Sequence, residues 1–221
     1  VLASPRREDR QRRVAVLAEP PGGGTDPRVA ERVRAAAAAL EKANYEVVDA
    51  APPRYEQVVE TWADFILADI RMMHGQIAPI MGEDAVRFLD HVRAPRPELD
   101  LAGYTATMMA RQSLMREWAL WFADVDVLLT PTWTQVPFEH GWDAASDANA
   151  LATIELMRPV TPANVLGLPS ACVPAGLVDG VPVGVLLTAD RFGDEVALAA
   201  AEVVESALGL DTPIDPVTTA P

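Results

Sequence analysis

The run VDVLLTPT, residues 125–132, constrains the fold more than any other stretch. It is almost continuously apolar, whereas a strand with one wet face alternates apolar and polar residues. Such a strand is covered on both sides, which requires a sheet with helices packed on either face. Pro131 ends the run, because proline has no N–H to give to a ladder. RVAVLAE (13–19), SACVPAG (170–176) and PVGVLLTA (182–189) read as further short strands, separated by prolines and glycines.

The N-terminal part reads as strand, helix, strand. PPGGGTD (20–26) is a loop after the first strand; it has neither Gly-x-Gly-x-x-Gly nor Gly-Lys-Ser/Thr, so a phosphate loop is not indicated. Asp26 is placed to cap a helix whose first residue is Pro27, where a missing N–H costs nothing. Val29, Val33, Ala37 and Leu40 share one helical face, and Asn44 can end the helix in a left-handed conformation. YEVVDA (45–50) follows as the second strand, so the three pieces form a parallel βαβ unit.

Residues 55–123 carry helical spacing. Val58, Trp62, Phe65, Ile66 and Met73 share a face, as do Met108, Met115, Trp118 and Phe122, and RAPRPE (93–98) breaks the two regions. These side chains are core in the first instance, and some can line a ligand pocket, since Met adapts to irregular shapes. Asp194 opens a last helix with Val196, Ala200, Val203 and Ala207 inward, closed by Gly209. The proline-rich tail DTPIDPVTTAP (211–221) is expected to be loose. The chain therefore reads as one α/β unit, with a mixed, largely parallel sheet covered by helices. Its parts are a strand-helix-strand over 1–54, a helical pocket region over 55–123, core strands and a closing helix over 124–210, and the tail.

Charge excludes some partners. The chain has 18 basic and 32 acidic residues, a formal net charge of −14, which repels nucleic acid and anionic membranes. RREDRQRR (6–13) is the one basic cluster, read as a solvated segment rather than a docking arm. No apolar run reaches the ~20 residues of a membrane helix, and no signal-peptide core is present, so a cytoplasmic setting is expected. A single cysteine, Cys172, rules out an internal disulfide and a multi-cysteine zinc site.

Residues with chemical potential are few. His74, His91 and His140 are isolated and fall in no metal spacing, so neither a metal nor a cofactor is expected. Ser4, Ser113, Ser146, Ser170 and Ser206 lie in no Gly-x-Ser-x-Gly and no glycine-rich loop. Ser170 and Cys172 sit between Pro169 and Pro174 in what reads as a buried strand, so Cys172 is expected to be buried and inert. Lys42, the one lysine, reads as a surface charge.

TPANVLGLPSACVPAG (161–176) followed by DGVPVGVLLTADRFGDEVALAAAE (179–202) resembles the C-terminal signature of the amidase signature family. FADVDVLLTPT (122–132) resembles the family's strand before that motif, and the N-terminal strand-helix-strand resembles a further family segment. The three occur in the family's order over nearly the whole chain. The resemblance implies serine amidases that cleave C–N bonds with a Ser nucleophile, a second Ser in cis peptide linkage and a Lys. In the family these stand in a Gly-Gly-Ser-Ser-Gly-Gly-Ser loop and an upstream strand. Neither occurs here, so no catalytic residue can be carried over onto this chain.

What the resemblance implies is the C-terminal portion of such an enzyme, inactive alone, which fits Val1 as first residue. The family's glycines and prolines would end short parallel strands, with Asn164 and Gly167 shaping the turn before Ser170. Pro131, Thr132, Trp133 and Asn164 are the candidates for the substrate-pocket lining. The implied partners are a small amide substrate and a complementary N-terminal half, or a second copy of the chain. Arg158 stands where the tRNA amidotransferase branch of the family usually carries an acidic residue, which argues against that branch. The rival reading is a non-catalytic binding or scaffold module that retains half the fold.

Overall fold

A computed structural model describes residues 10–22 and 24–209. The proline-rich tail over 211–221 and Ser4 lie outside the described residues. β1 (Arg13–Val16) leads through the Pro20–Asp26 loop to α1 (Pro27–Lys42) and β2 (Glu46–Asp49). The Asp26 carboxylate accepts from the Arg28 backbone N–H at 2.8 Å, and Pro27 takes the first position of α1. Asn44 closes the unit at φ 68°, the left-handed conformation that asparagine tolerates.

Three helices follow: α2 (Tyr55–Ile77), α3 (Glu83–Arg93) and α4 (Leu101–Trp121). A single 3₁₀ turn, Ala78–Ile80, separates α2 from α3. β3 (Val127–Pro131) then re-enters the sheet, with every residue buried. Two helices come next that the sequence pattern does not announce, α5 (Asp147–Leu156) and α6 (Thr161–Leu166). β4 (Ser170–Val178), β5 (Val181–Thr188) and α7 (Asp194–Leu208) complete the order.

The five strands form one sheet in the order β2–β1–β3–β5–β4. β1 is parallel to β2 and β3, while β5 is antiparallel to both β3 and β4. Four strands thus share a direction and β5 opposes them. β4 and β5 are not the separate parallel strands that the resemblance implied. They are a hairpin joined by Asp179 and Gly180, at φ 52° and 80°. Two positive φ values in a two-residue loop give the turn whose twist matches that of the strands, and Asp-Gly is a favoured sequence for it.

Alternation along the strands sorts the core into two layers. Val14, Val127, Leu129, Val173, Val185 and Leu187 face α1 and α7. Ala15, Leu17 and Leu128 face the other way, onto α2, α4 and α6 through Val58, Trp62, Leu114, Trp118 and Leu166. β3 is therefore sandwiched, as its apolar run required. The inward stripe of α7 is Ala197, Ala200, Ala201 and Val204, with Val196 and Val203 at its edges and Ala207 exposed. The alanine-rich sequence concealed this rotation, since alanine serves either face of a helix.

Candidate functional site

The second face of the β5–β4 hairpin forms the floor of a cleft of about 350 Å³. β4 presents Ser170, Cys172 and Pro174 on this face; β5 presents Gly184, Leu186 and Thr188. Thr132 and Trp133, just past the end of β3, form one wall with Phe138, whose ring lies edge-on to Trp133 at 6.0 Å. Gly184 leaves little room here, because a Cβ at this position would stand 3.0 Å from Thr132 Oγ1 and 3.3 Å from Cys172 Sγ. The lining is chiefly apolar, with the Thr132 hydroxyl, the Cys172 thiol and the Gln135 amide as polar handles.

Cys172 is exposed, not buried. Its thiol lies 3.1 Å from the Thr132 hydroxyl. Ser170 is exposed as well, and its hydroxyl meets that of Thr188 at 2.8 Å. The sequence pattern places both in the core. The reason for the difference is the sheet order: β4 is an edge strand, and α2, α4 and α6 cover the sheet only as far as β3.

A second cavity, of about 210 Å³, lies between α2, α4 and α6. Trp62, Phe65 and Ile66 of α2, Met108 and Arg111 of α4, and Asn164 of α6 line it. The Trp62 indole N–H donates to Asn164 Oδ1 at 2.9 Å, and Arg111 Nε donates to the Val165 carbonyl at 2.5 Å. The four residues expected along the pocket therefore separate. Thr132 and Trp133 line the cleft, Asn164 lines the second cavity, and Pro131 is buried at the end of β3 beside Val185. Asn164 sits within α6 rather than in a turn, and Gly167 at φ 68° ends that helix.

Arg158, which the sequence marks only as a departure from the tRNA amidotransferase branch, is a structural centre. Arg158 is 4% exposed and joins Glu56, Glu155 and the Pro21 carbonyl. The Tyr55 hydroxyl donates to the Arg158 carbonyl at 3.1 Å, and burial pushes that phenol well above its usual range. The only sequence signal is Glu155 three residues before Arg158. Two of the isolated histidines are also paired, His74 with Asp90 and His91 with Asp147, and Lys42 is exposed as expected. Arg10 and Arg13 of the basic segment pair with Asp126 and Glu46; the cluster's first residues lie outside the described range.

No serine among the described residues has a histidine or lysine hydrogen-bonded to its hydroxyl. Ser113 meets Glu117, Ser146 caps α5 through Asn149, and Ser170 meets Thr188. No helix among the described residues is long and apolar enough to cross a membrane.

The mixed sheet and its two helical layers define an α/β protein with an apolar cleft beside the sheet. The chain belongs to the amidase family, whose model matches residues 2–198. It is 32% identical over 201 residues to the indoleacetamide hydrolase of Bradyrhizobium diazoefficiens, covering 90% of this chain and 38% of that protein. It is 32% identical over 201 residues to the indoleacetamide hydrolase of Bradyrhizobium japonicum as well, covering 90% of this chain and 43% of that protein. Among solved structures, 6-aminohexanoate cyclic dimer hydrolase complexed with substrate superposes with a TM-score of 0.69 at 25% identity, over 90% of this chain and 46% of the other. Fatty acid amide hydrolase shares the fold at a TM-score of 0.70 and 16% identity, over 90% of this chain and 40% of the other. The chain thus spans less than half the length of these relatives.

Proposed function

We propose that the chain is the C-terminal portion of an amide hydrolase and supplies sheet strands and pocket walls rather than the reacting groups. The observation that carries this reading is the state of the cleft. It has the apolar walls and sparse polar groups of a ligand site but no serine, lysine or histidine in its lining, and Ser170, on the same strand as Cys172, has its hydroxyl bonded to that of Thr188. A serine is a weak nucleophile until a neighbouring base takes its proton.

In the complete catalyst the two serines and the oxyanion-binding N–H groups would come from the Gly-Ser loop, and the lysine from the further strand, neither of which this sequence contains. The serine oxygen forms a bond to the amide carbon, and the C–N bond breaks as the amine leaves with a proton. Water then cleaves the acyl ester and returns the proton to the serine. Thr132, Trp133 and the hairpin floor would hold the acyl or amine part of the substrate. The stretches 1–54, 55–123 and 124–210 would act as parts of one domain in that assembly.

The test is an assay of the purified chain on simple aliphatic and aryl amides. The expected result is no turnover above buffer. Turnover that Ser170→Ala abolishes would place the nucleophile in this chain and overturn the reading.

A further inference from the structure

We infer that Arg158 is a positioning residue for the apolar cleft: it does not line the cleft, and it holds the cleft wall over 132–135 through the loop that follows β1. The wall is fixed to the floor at one end, where the Thr132 N–H donates to the Gly184 carbonyl at 3.0 Å. Past Trp133 it is fixed by other segments. The N–H of fully buried Thr134 donates to the Leu156 carbonyl, at the end of α5, at 3.3 Å. The Thr134 carbonyl accepts from the Asp26 N–H at 2.8 Å, and the Gln135 side-chain amide donates to the Gly24 carbonyl at 2.9 Å. Two of these three bonds depend on the loop over 20–26 being in place.

Arg158 closes that arrangement into a ring. It stands two residues after Leu156, and its Nε donates to the Pro21 carbonyl of the same loop at 2.9 Å. The connections run from the end of α5 to Thr134, to Asp26, back along the loop to Pro21, and through Arg158 to the end of α5 again. In a ring, loss of one link loosens the others. The loop needs the extra link, because Pro21 is followed by three glycines, the residue type that gives up most freedom on ordering. Leu17, whose N–H donates to the Leu129 carbonyl, and Asp26 mark the ends of the span, and Pro21 lies near its middle. Loss of the Pro21 bond about doubles the free span, which makes loop closure roughly threefold less favourable.

Arginine suits the position because its donors are separate and held in one plane. Nε serves Pro21, while the terminal nitrogens serve Glu155 and Glu56. At 4% exposure, water does not compete for these bonds. Trp133, between the two fixed ends of the wall and edge-on to Phe138, is the side chain whose placement the ring sets. The inference concerns how the wall is held and its test involves no turnover, so its failure would leave the hydrolase reading untouched.

The test follows single amides by hydrogen exchange in the native chain, and Trp133 by fluorine NMR after 5-fluorotryptophan labelling, with its signal assigned by Trp133→Phe. Arg158→Met is expected to speed exchange at Asp26 and Thr134 by about threefold or more, to move the Trp133 signal, and to leave the amides of the β4–β5 hairpin unchanged. Glu155→Gln, which keeps the Pro21 bond, should move neither. If Arg158→Met fails to fold, Arg158→Lys gives the second measurement. It keeps a charge opposite Glu56 and Glu155 but cannot span all three partners with one nitrogen, so the same loosening is expected. Unchanged exchange at Asp26 and Thr134, a rise shared equally by the hairpin amides, an unmoved Trp133 signal, or an equal effect of Glu155→Gln would each overturn the inference.

Discussion

Arg158 Nε donates to the Pro21 carbonyl at 2.9 Å, pinning the loop after β1 to the turn between α5 and α6. The two carboxylates that pair with it, Glu56 and Glu155, are 53% and 52% exposed, while the arginine side chain is 4% exposed. Removing either glutamate leaves the guanidinium the other carboxylate and the Pro21 carbonyl, and the lost carboxylate was half in water already. Removing the arginine deletes every bond at once and leaves a hole.

Arg158→Met should therefore destabilise the chain by about 2–3 kcal/mol, and Glu155→Gln by about 1 kcal/mol or less, read from urea unfolding. Gly22 belongs to the same unit. It has φ +83°, and a Cβ there would collide with the Arg158 guanidinium and the Glu56 carboxylate. Gly22→Ala should cost about 1–3 kcal/mol, and less in the Arg158→Met background, because the guanidinium clash is gone and the Glu56 carboxylate, no longer held by it, can swing away. Strict additivity of the two changes would show that Gly22 is constrained by its backbone alone.

Acid should reveal Asp26. The Arg28 side chain first, and then the Arg28 backbone N–H, hold this carboxyl down at about 2, against an ordinary value of 3.8. A depressed folded value means that its contribution is whole above about pH 3.8 and is lost as pH falls through about 2. The stability difference between the parent chain and Asp26→Asn should shrink across that window. A difference independent of pH would contradict the role given to the charge. Asp26→Ala also removes the helix cap and should cost about 1 kcal/mol at neutral pH.

The hairpin turn makes a sharper demand on one residue than on its neighbour. Asp179 and Gly180 both have positive φ, a conformation that asparagine and glycine accept readily. Asp179→Asn should be tolerated within ~0.5 kcal/mol, whereas Gly180→Val should cost about 1–2 kcal/mol through backbone strain. Equal thermal shifts for the two would argue against this turn type.

Cys172 should react in the native state. It is the single cysteine, exposed on the cleft floor 3.1 Å from Thr132 Oγ1. A chromogenic disulfide reagent should titrate one thiol per chain without denaturant, and a ligand seated in the cleft should slow it. Reaction only after unfolding would place the thiol in the core.

Much of the sheet could be read in the sequence, because the unbroken apolar run of β3 reports cover on both faces. The caps of α1 were equally plain: Asp26, Pro27 and Asn44 act through local backbone geometry, which needs no knowledge of the fold. The hairpin was also written there in Asp179–Gly180, but flanking prolines and glycines suggested separate strands. α6 was hidden by its brevity and by Pro162, which suits a helix start as well as a turn. The exposure of Cys172 could not be read locally, since it depends on β4 being an edge strand. Arg158 was opaque for a similar reason. Glu56 is 102 residues away in sequence, so the chain shows a lone arginine where the fold makes an ion-pair centre. The cleft and the second cavity each combine residues from distant segments, and sequence grouped Thr132, Trp133 and Asn164 without separating them.

The most direct test of the account is reconstitution. The chain is mixed, or co-expressed, with a polypeptide carrying the Gly-Gly-Ser-Ser-Gly-Gly-Ser loop and the lysine strand of an amidase, and amide hydrolysis is measured for each part and for the pair. The account predicts no turnover from this chain alone, turnover from the complex, and its loss when the loop's nucleophilic serine is replaced by alanine. Turnover by this chain alone, or a folded stoichiometric complex with none, would contradict it.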